Sequence, residues 1–155
     1  MIRFRAPVRR EDDGFVVALS DDEAQLVQRL LDELRELLTG DEQGELTARL
    51  FPVVHPDDPE QEAEYQRWMR PDLVESKLAA IGTVDRALSG DGRLDEGGMI
   101  AFMQAVNSVR LVLGTMLGLT DDDQPDEDDA ESTYEMQLYV YLSWLLEWSV
   151  RALSA

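Results

Sequence analysis

Carboxylates are the chemistry this chain has most of. Its 155 residues hold 33 acids against 14 bases, with one histidine, no cysteine and a formal net charge of -19. Asp32, Glu33 and Glu36 recur at helical spacing, and Glu60 and Glu64 stand one turn apart further on. Such helix-borne acids could hold magnesium for nucleotide pyrophosphate chemistry. A further acid pair beside a basic phosphate contact, which would complete that site, is not evident. Residues 120–131 read TDDDQPDEDDAE, eight acids without a base. An EF-hand loop starting at Asp121 would need glycine where Asp126 stands and glutamate where Ser132 stands, so the pattern fails. The run reads as a solvated loop, with Asp121, Asp122 and Asp123 as an acidic rim for a basic partner. His55 could act as a general base, but no nucleophile is identifiable beside it, and loop packing is the simpler reading. With no cysteine, thiolate catalysis, thiolate metal sites and disulfides are excluded. No catalytic set, cofactor site or metal site is assembled.

The remaining polar constellation is NSVRLVLGTMLG, residues 107–118. At 3.6 residues per turn, Phe102, Ala105, Val109, Val112, Leu113 and Met116 share one broad apolar face. Asn107, Leu111, Gly114 and Gly118 share the other, with Arg110 to one side. One reading is an anion site built from Asn107 and Arg110 over the glycines. The structural reading is favoured: a helix buried on most sides, close backbone approach at Gly114, termination at Gly118. Arg110 then needs a partner, because a lone buried charge is very costly, and Glu147 or an acid of the first helix would serve.

The elements that position these residues follow from periodicity. Ile2–Ala6 and Phe15–Leu19 alternate as the strands of a short hairpin. SDDE at 20–23 is a capping box ahead of Val27, Leu30, Leu31, Leu34, Leu37 and Leu38, and Gly40 stops that helix. GELTARLF at 44–51 is a short helix ending at Pro52. The loop FPVVHPDDPE is stiffened by three prolines, and Asp58 with Pro59 opens a new helix. Pro71 is expected to break it and to open another, striped by Leu73, Val74, Leu78, Ile81, Val84 and Leu88. SGDGRLDEGG is a glycine-rich connector. Helices over Met99–Gly118 and Thr133–Leu153 follow. The expectation is one domain over 1–155, mainly α: a hairpin at 1–19, then a bundle of five or six helices over 20–155 with an acidic loop at 120–132.

The last helix crowds aromatics. Spacings of three and four bring Tyr141, Trp144 and Trp148 together, with Tyr134 upstream. If part of that stripe is exposed, Trp144, Trp148 and Tyr141 are the candidates for a partner contact. The basic cluster Arg3, Arg5, Arg9 and Arg10 could touch DNA, but the charge of the rest repels phosphate, and pairing with the protein's own acids is preferred. MIRFRAPVRR lacks a signal-peptide core and no run approaches the apolar length of a membrane span, so a cytoplasmic protein is expected.

VNSVRLVLGTMLGLTDD, followed by YVYLSWLLEWSV, resembles an actinobacterial family of domains of unknown function encoded beside the ClpS protease adaptor, which includes the mycobacterial oxidative-stress regulator AosR. LFPVVHPDDPEQEAEYQRWMRPDL and FVVALSDDEAQLVQRLL resemble other segments of that family, so the likeness covers most of the chain. It implies transcriptional or stress regulation, or a role linked to regulated proteolysis. No cysteine switch can operate here. The sequence reading is therefore a non-enzymatic regulator that binds another protein through a basic surface, or binds a second copy of itself as a homodimer. The alternative is a metal-dependent enzyme using helix-borne carboxylates.

Overall fold

The structure is a computed structural model that describes residues 6–40, 45–119 and 133–155. In chain order its elements are β1 (Val8–Glu11), β2 (Gly14–Val17), α1 (Asp21–Thr39), a 3-10 helix (Glu45–Leu50), α2 (Pro59–Leu88), β3 (Arg93–Leu94), α3 (Glu96–Met116) and α4 (Tyr134–Ser154). The protein is mainly helical and begins with a hairpin, as its periodicity predicts. The described residues hold four α-helices and one 3-10 helix rather than five or six helices.

The hairpin sits further along the chain than the alternation of Ile2–Ala6 suggests. Its register pairs Val8 with Val17 and Glu11 with Gly14. Asp12 makes the turn at φ 54, a left-handed conformation that aspartate tolerates better than most residues. Val8, Phe15 and Val17 are buried, so one face of the ribbon lies on the helices. The glycine-rich connector contains a third strand, β3, antiparallel to β2 with Phe15 opposite Leu94. Gly92 permits this. Its φ is +77, and a Cβ there would stand 2.3 Å from the Val17 carbonyl oxygen.

The capping box of α1 is formed. The Glu23 amide donates to Ser20 Oγ at 3.2 Å, and the Ser20 amide donates to the Glu23 carboxylate at 3.3 Å. Val27, Leu30, Leu31, Leu34 and Leu38 are its buried stripe. Asp58 caps α2 with Pro59 in its first turn. Pro71 does not break that helix, which runs on for 30 residues. A proline within a helix removes one amide donor and crowds the preceding turn, at a cost of about 3 kcal/mol. Here the turns after it are held by Leu73, Val74 and Leu78, packed on the core, and by Ile81 and Val84 within it.

Helix α3 is the column of the fold. It packs against α1, α2, α4, the 3-10 helix, β2 and β3. Met99, Phe102, Ala105, Val106, Val109, Val112 and Leu113 are buried along it, whereas Met116 is exposed. By length and composition α3 is long and apolar enough to cross a membrane, which a search for unbroken apolar runs does not reveal because Gln104, Asn107 and Arg110 interrupt it. Packing on so many sides accounts for that apolarity within this fold. Polar ties join the outer helices: Arg35 reaches Asp85 at 2.9 Å between α1 and α2, and Arg29 donates to the Tyr134 hydroxyl at 3.1 Å between α1 and α4.

Candidate functional site

The 107–118 stripe is a packing surface. Gly118, at φ +72, ends α3. Its amide donates to the Thr115 carbonyl at 3.1 Å, and that of Leu119 donates to the Gly114 carbonyl at 2.8 Å, the paired bonds of a Schellman ending. At Gly114 the close approach comes from side chains rather than a backbone. A Cβ there would stand 3.2 Å from both Tyr139 Cε2 of α4 and Arg49 Nη1 of the 3-10 helix. Arg110 does not meet Glu147, which pairs with Arg151 at 2.7 Å. Its Nε donates to Ser143 Oγ at 2.9 Å and its Nη1 to Asn107 Oδ1 at 3.3 Å, with the guanidinium 5.1 Å from the Tyr139 ring centre. Arg110 is only half-buried, so solvent retains part of its charge, and neutral acceptors and a ring face suffice.

Beside this stripe lies a cavity of about 270 Å³. It opens between α2 and α3, with Leu34 of α1 and the 3-10 helix closing it. Asn107 and Ser108 line it from α3, and Ser76 and Lys77 from α2. Burial lowers the Lys77 pKa below its ordinary value, since a charged ammonium loses hydration there.

The aromatic helix is largely engaged in the fold. Trp144, Trp148 and Tyr141 are partly buried and pack on the core. Tyr141 donates to the Glu23 carboxylate at 2.7 Å and lies 6.0 Å from the Trp144 ring. Arg151 stands over Trp148 at 5.1 Å. Asp121, Asp122 and Asp123 lie outside the described residues, as does the acidic loop as a whole.

A different aromatic is presented to solvent. Trp68 is 72 % exposed. The buried residues of α2 are Ile81, Val84 and Ala87, all in its second half. Its first half touches the core only in part, through Leu73 and through Arg70 over the Phe51 ring at 4.1 Å, and it displays Trp68 and Met69, preceded in the chain by the exposed Val53 and Val54. The loop before α2 is tied to it: Glu62 accepts from the amides of Val54 at 2.9 Å and His55 at 2.8 Å, and from Gln66 at 2.7 Å. These bonds, led by that from Gln66, hold the Glu62 carboxyl below its ordinary pKa. The His55 ring packs edge-on to Tyr65, 5.8 Å between centres, a loop-packing role. Trp68 left a signal in the sequence that periodicity does not score. Its helical neighbours Gln61, Glu64, Tyr65, Pro71, Asp72 and Glu75 form no apolar stripe, so it had no core to join.

The carboxylates weighed as an alternative metal site do not converge among the described residues. Asp32 pairs with Arg35 at 2.6 Å, and among the described residues no three His, Asp or Glu side chains are placed to share a metal ion. Arg9 pairs with Glu11 at 3.7 Å and Arg10 lies over Phe15 at 5.1 Å, so those arginines engage the hairpin's own residues. Arg3 and Arg5 lie outside the described residues. A family model described as "Domain of unknown function (DUF2017)" matches residues 1–153. No curated protein matches, and no solved structure matches.

Proposed function

Because that match spans nearly the whole chain, the chain belongs to the DUF2017 family, and we propose that it is a non-enzymatic regulator that works by binding another protein. The observation that carries this reading is Trp68, 72 % exposed on a stretch of helix that contributes no buried residue. An indole left in water on a rigid helix costs solvation and returns nothing to folding, whereas at an interface it supplies a large contact at low entropic cost. The partner should present a basic surface to a chain of net charge -19, with an apolar notch for the indole. Trp144, Trp148 and Tyr141 remain a secondary surface. The resemblance to a family encoded beside ClpS, with AosR among its members, supports a cytoplasmic role in transcriptional or stress regulation or in regulated proteolysis.

The test compares wild-type, Trp68→Ala and Trp148→Ala proteins as bait in extract of the native host, followed by titration of the recovered partner. Trp68→Ala should weaken that partner at least about tenfold, an effect of hot-spot size. Its own stability should change by no more than about 0.5 kcal/mol, as at an exposed position. Equal binding by Trp68→Ala and wild type would sink the assignment, and loss confined to Trp148→Ala would move the interface to α4.

A further inference from the structure

We propose that the cavity between α2 and α3 binds a small oxyanion, a carboxylate or phosphate carried on a short apolar body, held by Lys77, Asn107 and Ser108. The first argument is charge. No carboxylate lines this cavity, although the chain has 33 acids and 14 bases. Lys77, the only lysine, lines it half-buried and makes no ion pair among the described residues. A compact ammonium withdrawn from water without a counterion is suited to receive one.

The second argument is a hydroxyl left free at the cavity wall. Ser108 is 5 % exposed, and its side chain has no hydrogen-bond partner among the described residues. Other helical hydroxyls here turn back to the carbonyl four residues earlier: Thr83 at 3.1 Å, Thr115 at 3.0 Å, and Ser143 and Ser149 at 2.8 Å. The Ser108 hydroxyl keeps some accessible surface beside the cavity, so it is free to bond what enters there.

The third argument is the sign of the hydrogen bonds on offer. Asn107 uses its carbonyl oxygen to accept from Arg110, which leaves its amide hydrogens to donate. Lys77 only donates, and Ser108 can donate. Three donor-bearing residues lining one cavity select a ligand rich in acceptors, which an oxyanion is. Leu73, Ile81 and Leu111 supply apolar wall. A volume of about 270 Å³ lies just below the range of drug-sized pockets, so it suits a short organic acid or a small phosphate ester.

This inference does not rest on the interaction surface at Trp68, which sits on the other half of α2. The probes are inorganic phosphate and valerate, each titrated into the 15N-labelled full chain at constant ionic strength set with chloride. Saturable amide shifts are expected at Ser76, Lys77, Asn107 and Ser108 with at least one probe, and the preferred probe identifies the oxyanion. Lys77→Met, which keeps the packing of the stem, should weaken that probe about tenfold, and Ser108→Ala should weaken it by a smaller factor. Shifts that fail to saturate with both probes overturn the proposal. So does equal affinity in wild type and either folded variant.

Discussion

The Tyr141 hydroxyl and the Glu23 carboxylate meet across 118 positions of sequence at 2.7 Å. Burial alone would raise the Glu23 pKa, but hydrogen bonds from Tyr141 and Ser20 outweigh it and hold the group below its ordinary value of 4.5. Burial and the adjoining carboxylate together push the Tyr141 pKa far above 10. A carboxylate whose pKa is depressed by folding stabilises the fold above its unfolded pKa and loses that contribution as pH falls through the folded one. A tyrosine whose pKa is raised contributes below its unfolded pKa, and that contribution fades as pH rises through the folded one. Tyr141→Phe should therefore cost about 1–2 kcal/mol at neutral pH, discounted for the solvent that reaches Glu23. The gap between the two proteins should close as pH falls below the ordinary carboxylate value, as urea melts at pH 7 and pH 3.5 would show. A gap that stays constant between those pH values would contradict the charged hydrogen bond. At this scale the sequence carried local information well. Ser20 with Glu23, Asp58 with Pro59, and Gly118 are signals contained within one turn of backbone. Of the partners of Arg110, Asn107 is a helical neighbour, but Ser143 and Tyr139 were not legible, because they lie on another helix and neutral acceptors leave no charge pattern to read.

Among the elements, α2 departs furthest from expectation. The expected boundary at Pro71 is absent, since the cost of a proline is local and the compensation comes from tertiary packing of Leu73, Val74 and Leu78. Pro71 is itself exposed, so replacing its ring opens no cavity. Pro71→Ala should restore an amide donor toward the Arg67 carbonyl and raise stability by about 2 kcal/mol. That is the helix-propensity difference less the entropy that proline removes from the unfolded chain. Thermal melts would register it as a higher midpoint, and a lower one would mean that the kink is required for packing. Strand β3 was missed for a different reason. Two residues carry no periodicity, and what recruits them is the close approach at Gly92, visible only once β2 lies beside it.

Over the whole molecule, 33 acids against 14 bases place the folded state under its own repulsion. Salt should relieve it: moving from about 10 to about 500 mM sodium chloride should raise the melting midpoint by a few degrees. A lower midpoint in salt would show instead that the ion pairs, Arg35–Asp85 among them, outweigh the net charge. The mainly helical class was legible in the spacing of leucines and valines. The rank of α3 among the helices was legible in its small and polar second face, whereas the polar neighbours of Trp68 show only that it lies on no apolar stripe, and its exposure also depends on where every other helix goes. The position of α3 in the chain also sets an order of events. It is made after α1 and α2, and α2 packs extensively on it. While the chain is being synthesised, the apolar face that α2 turns to α3, Ile81 included, lacks that cover until residues 96–116 have left the ribosome.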